Sequence, residues 1–140
     1  MLPEIIVCAF LSPITPGQIS DYRTCKDNYE KIEYVQEYIP LVQENFEQKD
    51  WQTALLVIFC ESRGKPNAKN VNTKGEGIYK NSVDQGIWQW NSVTYTWLKE
   101  KLKITSSPYD IEVSTKATAW TVKHVGWEWW NSSKHCWGNT

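Results

Sequence analysis

Several things are scarce in this 140-residue chain, and each scarcity excludes something. No apolar run reaches the roughly 18 residues that span a bilayer, so a membrane span is not expected. Neither sign of charge dominates. Fifteen basic residues face sixteen acidic ones, for a net charge of -1. That balance offers no electrostatic footprint to nucleic acid or to an anionic membrane. It also implies weak steering toward anionic surfaces. No CxxC pair occurs, and the two histidines, His124 and His135, add no ligand spacing, so no metal site is expected. Internal repeats and low-complexity tracts are absent. Phenylalanine is rare, at three residues.

What is present is one domain's worth of chain. A chain this long can bury roughly two-thirds of its unfolded surface, which leaves room for a core and a cleft. Nine Trp and seven Tyr stand beside those three Phe. Many must be core filler. Yet a bias toward aromatics with a polar handle suits surfaces that are half wet, and flat aromatic faces among amides are what sugar rings stack on. Four cysteines (Cys8, Cys25, Cys60 and Cys136) read as disulfides of a secreted protein, with three pairings open. Residues 1–20 read as a signal peptide or an N-terminal extension. Ile5–Leu11 is apolar like a short h-region, and Ser12–Gly17 is either punctuation or a cleavage site. Against a signal peptide stands Glu4, with no Lys or Arg before the apolar run. Residues 21–140 form the folded domain on this reading.

Periodicity predicts a helix from Asp27 through Tyr29, Ile32, Val35 and Ile39, stopped near Pro40. A further turn or two follows around Leu41, Val42, Asn45 and Phe46. Asp50 is placed as the N-cap of a helix whose Trp51, Ala54, Leu55, Ile58 and Phe59 share one face, ended by Gly64 and Pro66. Residues 64–90 are rich in turn chemistry and read as a small β-hairpin region. Helices resume over about 92–103 and 110–125, before a Trp-rich tail. The expected fold is α+β and mainly α: a helical lobe plus a small β-hairpin wing, with a cleft between them.

Two carboxyl groups draw the chemistry. Glu61 shares the apolar face of Ala54, Val57 and Ile58, at a helix C-terminus whose dipole disfavours an anion. Burial at such a place favours the protonated form, hence a proton donor. Asp84 lies among amides at 81, 85, 89 and 91, where hydrogen-bond donors and water suit a carboxylate. One acid and one carboxylate are what glycoside cleavage requires. Alone, each would pass for a cap or turn residue.

Together the motifs carry a resemblance. Glu61-Ser62, Asn70-Val71-Asn72-Thr73 and Ser82-Val83-Asp84-Gln85-Gly86-Ile87-Trp88-Gln89-Trp90-Asn91-Ser92 resemble the lysozyme superfamily. The last run is similar to that of C-type lysozymes. Cys60-Glu61-Ser62-Arg63-Gly64, with a late Cys after tryptophans, is similar to resuscitation-promoting factors and soluble lytic transglycosylases. The resemblance covers about residues 51–137. It implies that Glu61 is the general acid and Asp84 the second carboxylate. It implies that Asn72, Gln89 and Asn91 bind substrate, and that Trp127, with Trp130 and Cys136 after it, backs the acid. Trp88 or Trp97 would help floor the cleft. The Cys before the acid would pair with the C-terminal one, Cys60 with Cys136, leaving Cys8 for Cys25.

The stretch between the two carboxylates is longer than in C-type lysozymes, around Glu76–Lys80, so Glu76 is a rival second acid. The expected activity is a secreted, monomeric muramidase without metal or cofactor, cutting the β-1,4 bond of peptidoglycan or of a chitooligosaccharide. The alternatives are a lytic transglycosylase and a silent glycan-binding relative.

Overall fold

Cys8 and Cys25 bind the first two helices together. In the computed structural model, which describes residues 3–12 and 19–138, α1 (Glu4–Leu11) turns Val7, Cys8 and Leu11 inward. Its neighbour α2 (Ile19–Asp27) brings the fully buried Cys25. Residues 13–18, read above as punctuation or a cleavage site, lie outside the described residues.

Pro40 does not stop a helix here; it helps start one. The expected continuous helix breaks after α3 (Tyr29–Tyr34), passes through a 3-10 turn at Gln36–Tyr38, and resumes as α4 (Ile39–Asn45) with Pro40 in its first turn. First-turn N–H groups have no intrahelical partner, so proline loses nothing there, and its fixed φ suits the helix. A second 3-10 turn, Gln48–Asp50, holds Asp50 and runs directly into α5 (Trp51–Ser62).

The single apolar face expected for α5 is also corrected. Ala54, Leu55, Leu56, Val57 and Ile58 are all wholly buried, so the helix is enclosed on every side at mid-length. Arg63 (φ 55°) and Gly64 (φ 73°) then take left-handed conformations, and the helix ends.

The wing is a three-stranded antiparallel sheet in the order β1-β2-β3: β1 (Lys69–Val71), β2 (Val83–Gln85) and β3 (Trp90–Asn91). Asp84 sits in the central strand, opposite Asn70 on one side and Asn91 on the other. Asn91 also N-caps α6 (Ser92–Leu102), its Oδ1 accepting from Val93 N at 3.0 Å. Asp110 caps α7 (Ile111–Val125) in the same way. The tail forms a 3-10 segment, Glu128–Ser133, and a short α8, Lys134–Trp137.

The chain divides into two compact units. One joins residues 1–60 to 129–140 and contains both disulfides, Cys8–Cys25 and Cys60–Cys136. Within it Lys31 Nζ donates to the Cys136 carbonyl at 2.9 Å. The other unit is Glu61–Glu128 and holds the whole sheet with α6 and α7. Its core is pegged by two indoles: Trp88 Nε1 donates to Thr115 Oγ1 and Trp90 Nε1 to Thr118 Oγ1, both at 2.9 Å. These threonines are three apart on α7, so both rings meet one helix face. Mainly helical with a small antiparallel sheet, the chain has the expected α+β fold. Among the described residues no helix is long and apolar enough to cross a membrane.

Candidate active site

Glu61 is the next-to-last residue of α5 and is half-buried. Its neighbour Ser62 fixes that helix end: Ser62 Oγ donates to the Ile87 carbonyl at 2.9 Å and accepts from Gly64 N at 3.1 Å. Ile87 lies in the turn between β2 and β3, three residues beyond Asp84. The Glu61–Ser62 step is therefore bonded to the turn that follows the Asp84 strand. Sequence reasoning quoted Ser62 only as part of a motif and assigned it no task. Its small hydroxyl beside a helix-ending glycine was the available signal.

Asp84 is held by its strand partner. Asn91 Nδ2 donates to Asp84 Oδ1 at 2.9 Å and to Ser82 Oγ at 2.8 Å. Ser82 continues the chain of bonds. Its hydroxyl donates to the Tyr79 carbonyl at 2.7 Å, and Asn72 Nδ2 lies 3.2 Å from both Ser82 Oγ and the Ser82 carbonyl. This buried serine was not singled out from the sequence either.

A pocket of about 650 Å³ opens over this network, lined by Val71, Asn72, Thr73, Lys74, Gly75, Tyr79, Ser82, Asp84 and Asn91. Three of the expected site residues, Asn72, Asp84 and Asn91, thus share one pocket. Glu61, Gln89 and Trp127 are not among its walls, although all belong to the same compact unit. Glu76, the rival acid, is exposed, precedes the 3-10 turn Gly77–Tyr79, and does not line the pocket.

The amides are more committed than the resemblance implies. Gln89 stands at φ 50°, and its Nε2 donates to the Ala68 carbonyl at 3.1 Å and to the Gly86 carbonyl at 2.9 Å. Both amide hydrogens thus close the wing, and only Oε1 is left to face a ligand. Asn91 spends both hydrogens on Asp84 and Ser82 and its oxygen on the α6 cap.

The tryptophans divide by environment. Trp127 lies 6.4 Å from Trp88, ring to ring. Trp88 itself is wholly buried, so it belongs to the core rather than to a cleft floor. Trp97 is 49% exposed on α6, beside Lys101, and lines no part of the Asp84 pocket. At least four of the nine tryptophans spend the indole N–H on an internal acceptor. Trp88 and Trp90 use threonines, Trp51 the Phe46 carbonyl, and Trp137 the Trp130 carbonyl. Among the described residues no cluster of His, Cys, Asp and Glu could hold a metal ion.

A family model, the Transglycosylase SLT domain, matches residues 41–132. The match takes in α5, the entire sheet, α6 and α7, and with them Glu61, Asn72, Asp84, Gln89, Asn91 and Trp127. No curated protein and no solved structure matches the chain. SLT domains act on peptidoglycan in the periplasm or the extracellular space, and two disulfides fit such an oxidising location. With about two-thirds of its length matched, the chain belongs to the transglycosylase SLT domain family, within the lysozyme-like superfamily.

Proposed function

We propose that this protein is a secreted muramidase, cleaving the β-1,4 bond between N-acetylmuramic acid and N-acetylglucosamine by hydrolysis. The observation that carries this reading is Asp84, clamped by Asn91 in the wall of an open pocket. Glu61 gives its proton to the glycosidic oxygen as the bond to C1 breaks. Asp84 stabilises or captures the oxocarbenium-like C1. Water then adds to C1 while Glu61 takes its proton back, so the acid is restored and a reducing end is released. Asn72 and the single remaining acceptor of Gln89 contact sugar amides and hydroxyls, and Trp127 shapes the surroundings of the acid. Asn91 acts on Asp84 rather than on sugar. Residues 21–140 carry the activity, and the protein works as a monomer.

A second reading is favoured by the family's own description as a transglycosylase. There Glu61 plays the same first part, but the C6 hydroxyl of the muramic acid attacks C1 and passes its proton to Glu61. The product is a 1,6-anhydro-sugar. Digestion of purified peptidoglycan followed by mass measurement tests both readings. Reducing muropeptides are expected. Products lighter by one water establish the transglycosylase, and no products, with binding retained, establish a silent glycan-binding protein. Glu61→Gln is expected to lower cleavage by about 10²–10⁴-fold with folding intact, because the amide cannot donate the proton. Activity within a few-fold of the wild type would remove Glu61 from this role.

A further inference from the structure

The molecule carries a second aromatic surface that takes no part in the Asp84 pocket. On α6, Trp97 and Lys101 are one turn apart and both are exposed. On α7, Trp120 and His124 are one turn apart, with their rings stacked at 4.2 Å. His124 Nδ1 lies 2.7 Å from the Trp120 carbonyl, which orients the imidazole. Lys101 Nζ stands 5.7 Å from the Trp97 ring and 5.9 Å from the Trp120 ring, so one ammonium bridges indoles from two helices. A single exposed apolar side chain calls for no explanation, but two indoles, an imidazole and an ammonium assembled on one face do.

The stretch of chain that carries this face leans cationic. Residues 92–125 contain five lysines against three carboxylates, while the remainder of the chain has ten basic residues against thirteen acidic. The local excess of cations is complementary to an anionic polymer, and the indoles are complementary to the apolar faces of pyranose rings.

We infer that Trp97, Lys101, Trp120 and His124 form a surface platform that holds a strand of peptidoglycan away from the Asp84 pocket. The inference rests on the proposed glycan specificity. Sugar rings stack on Trp97, and Lys101 pairs with the free carboxylates of the peptide stems that muramic acid carries. The platform tethers the enzyme to an insoluble wall, so the pocket meets successive bonds at raised local concentration.

Co-sedimentation with insoluble peptidoglycan, in the Glu61→Gln background, tests the platform. Trp97→Ala is expected to weaken retention about tenfold and Lys101→Gln about threefold, while Trp97→Phe, which keeps a flat ring, stays near the parent. In the background with Glu61 intact, cleavage of a soluble tetrasaccharide fragment is expected to be unchanged by Lys101→Gln, while cleavage of the insoluble polymer falls. If Trp97→Ala and Lys101→Gln lower only the melting temperature and sediment like the parent, the cluster merely braces the two helices and the platform is overturned. If soluble products form but retention is insensitive to all three substitutions, the platform fails and the glycosidase reading stands. If no form sediments and no products appear, the glycan reading fails and takes the platform with it.

Discussion

Tyr95 carries a polar atom into the core. It lies on α6, 1% exposed, and its hydroxyl has no hydrogen-bond partner among the described residues. Burial, and then the charge of Asp110, push its ionisation up to about 12. The neutral phenol is thus favoured in the folded state. Stability is complete below the unfolded value near 10 and is lost as pH rises toward 12. Tyr95→Phe is expected to remove that alkaline loss and to raise stability near neutrality by up to about 1 kcal/mol, since it deletes an unpaired buried hydroxyl. Urea unfolding of both forms at neutral and alkaline pH checks this, and a destabilised Tyr95→Phe would mean that the hydroxyl has a partner in solution. Asn91 is the converse case, with every polar atom engaged. Asn91→Ser keeps an acceptor for the α6 cap but loses the reach to Asp84. On the proposed function, the melting temperature should fall little while kcat falls roughly tenfold or more, because a misplaced catalytic group is costly. An unchanged kcat would show that Asp84 needs no such support. The residue types at 61, 84 and 91 were legible in the sequence. The direction in which each amide hydrogen points was not, because that depends on partners brought in by the fold.

At the scale of elements, the strongest local signals located the helices. The expected helices over about 92–103 and 110–125 are present as α6 and α7, and the structure adds their caps: Asn91 accepts from Val93 N and Asp110 from Val113 N. Pro40 misled because proline ends a helix from its interior yet begins one from its first turn, and composition alone does not say which. Pairing of the cysteines was implied by the family resemblance, and both bonds are present. They differ in what they close. Cys8–Cys25 spans 17 residues and Cys60–Cys136 spans 76. In the chain-entropy model these restraints are worth about 3 and about 4.5 kcal/mol. Replacing Cys60 and Cys136 by Ser should therefore lower the urea midpoint more than replacing Cys8 and Cys25. The reverse order in paired unfolding curves would show that packing of α1, not loop closure, dominates.

For the whole molecule, composition and family motif agree on a mainly helical lysozyme-like chain, and the match over residues 41–132 accords with that. Several properties were settled by the sequence itself: the absence of a long apolar span, the near-neutral charge and the turn-rich wing. Each depends on residue type or on neighbours within about four positions, which is the range of capping, turn formation and helical periodicity. Tertiary structure decided the rest. It enclosed α5 on all sides, sent Trp88 and Trp90 to threonines 27 and 28 residues away, and gathered Asn72, Asp84 and Asn91 around one pocket. It left Trp97 at the surface beside Lys101. An indole reads the same in sequence whether it is buried or wet. Only distant residues, brought near by folding, supply the hydroxyls that pair the buried indoles of Trp88 and Trp90.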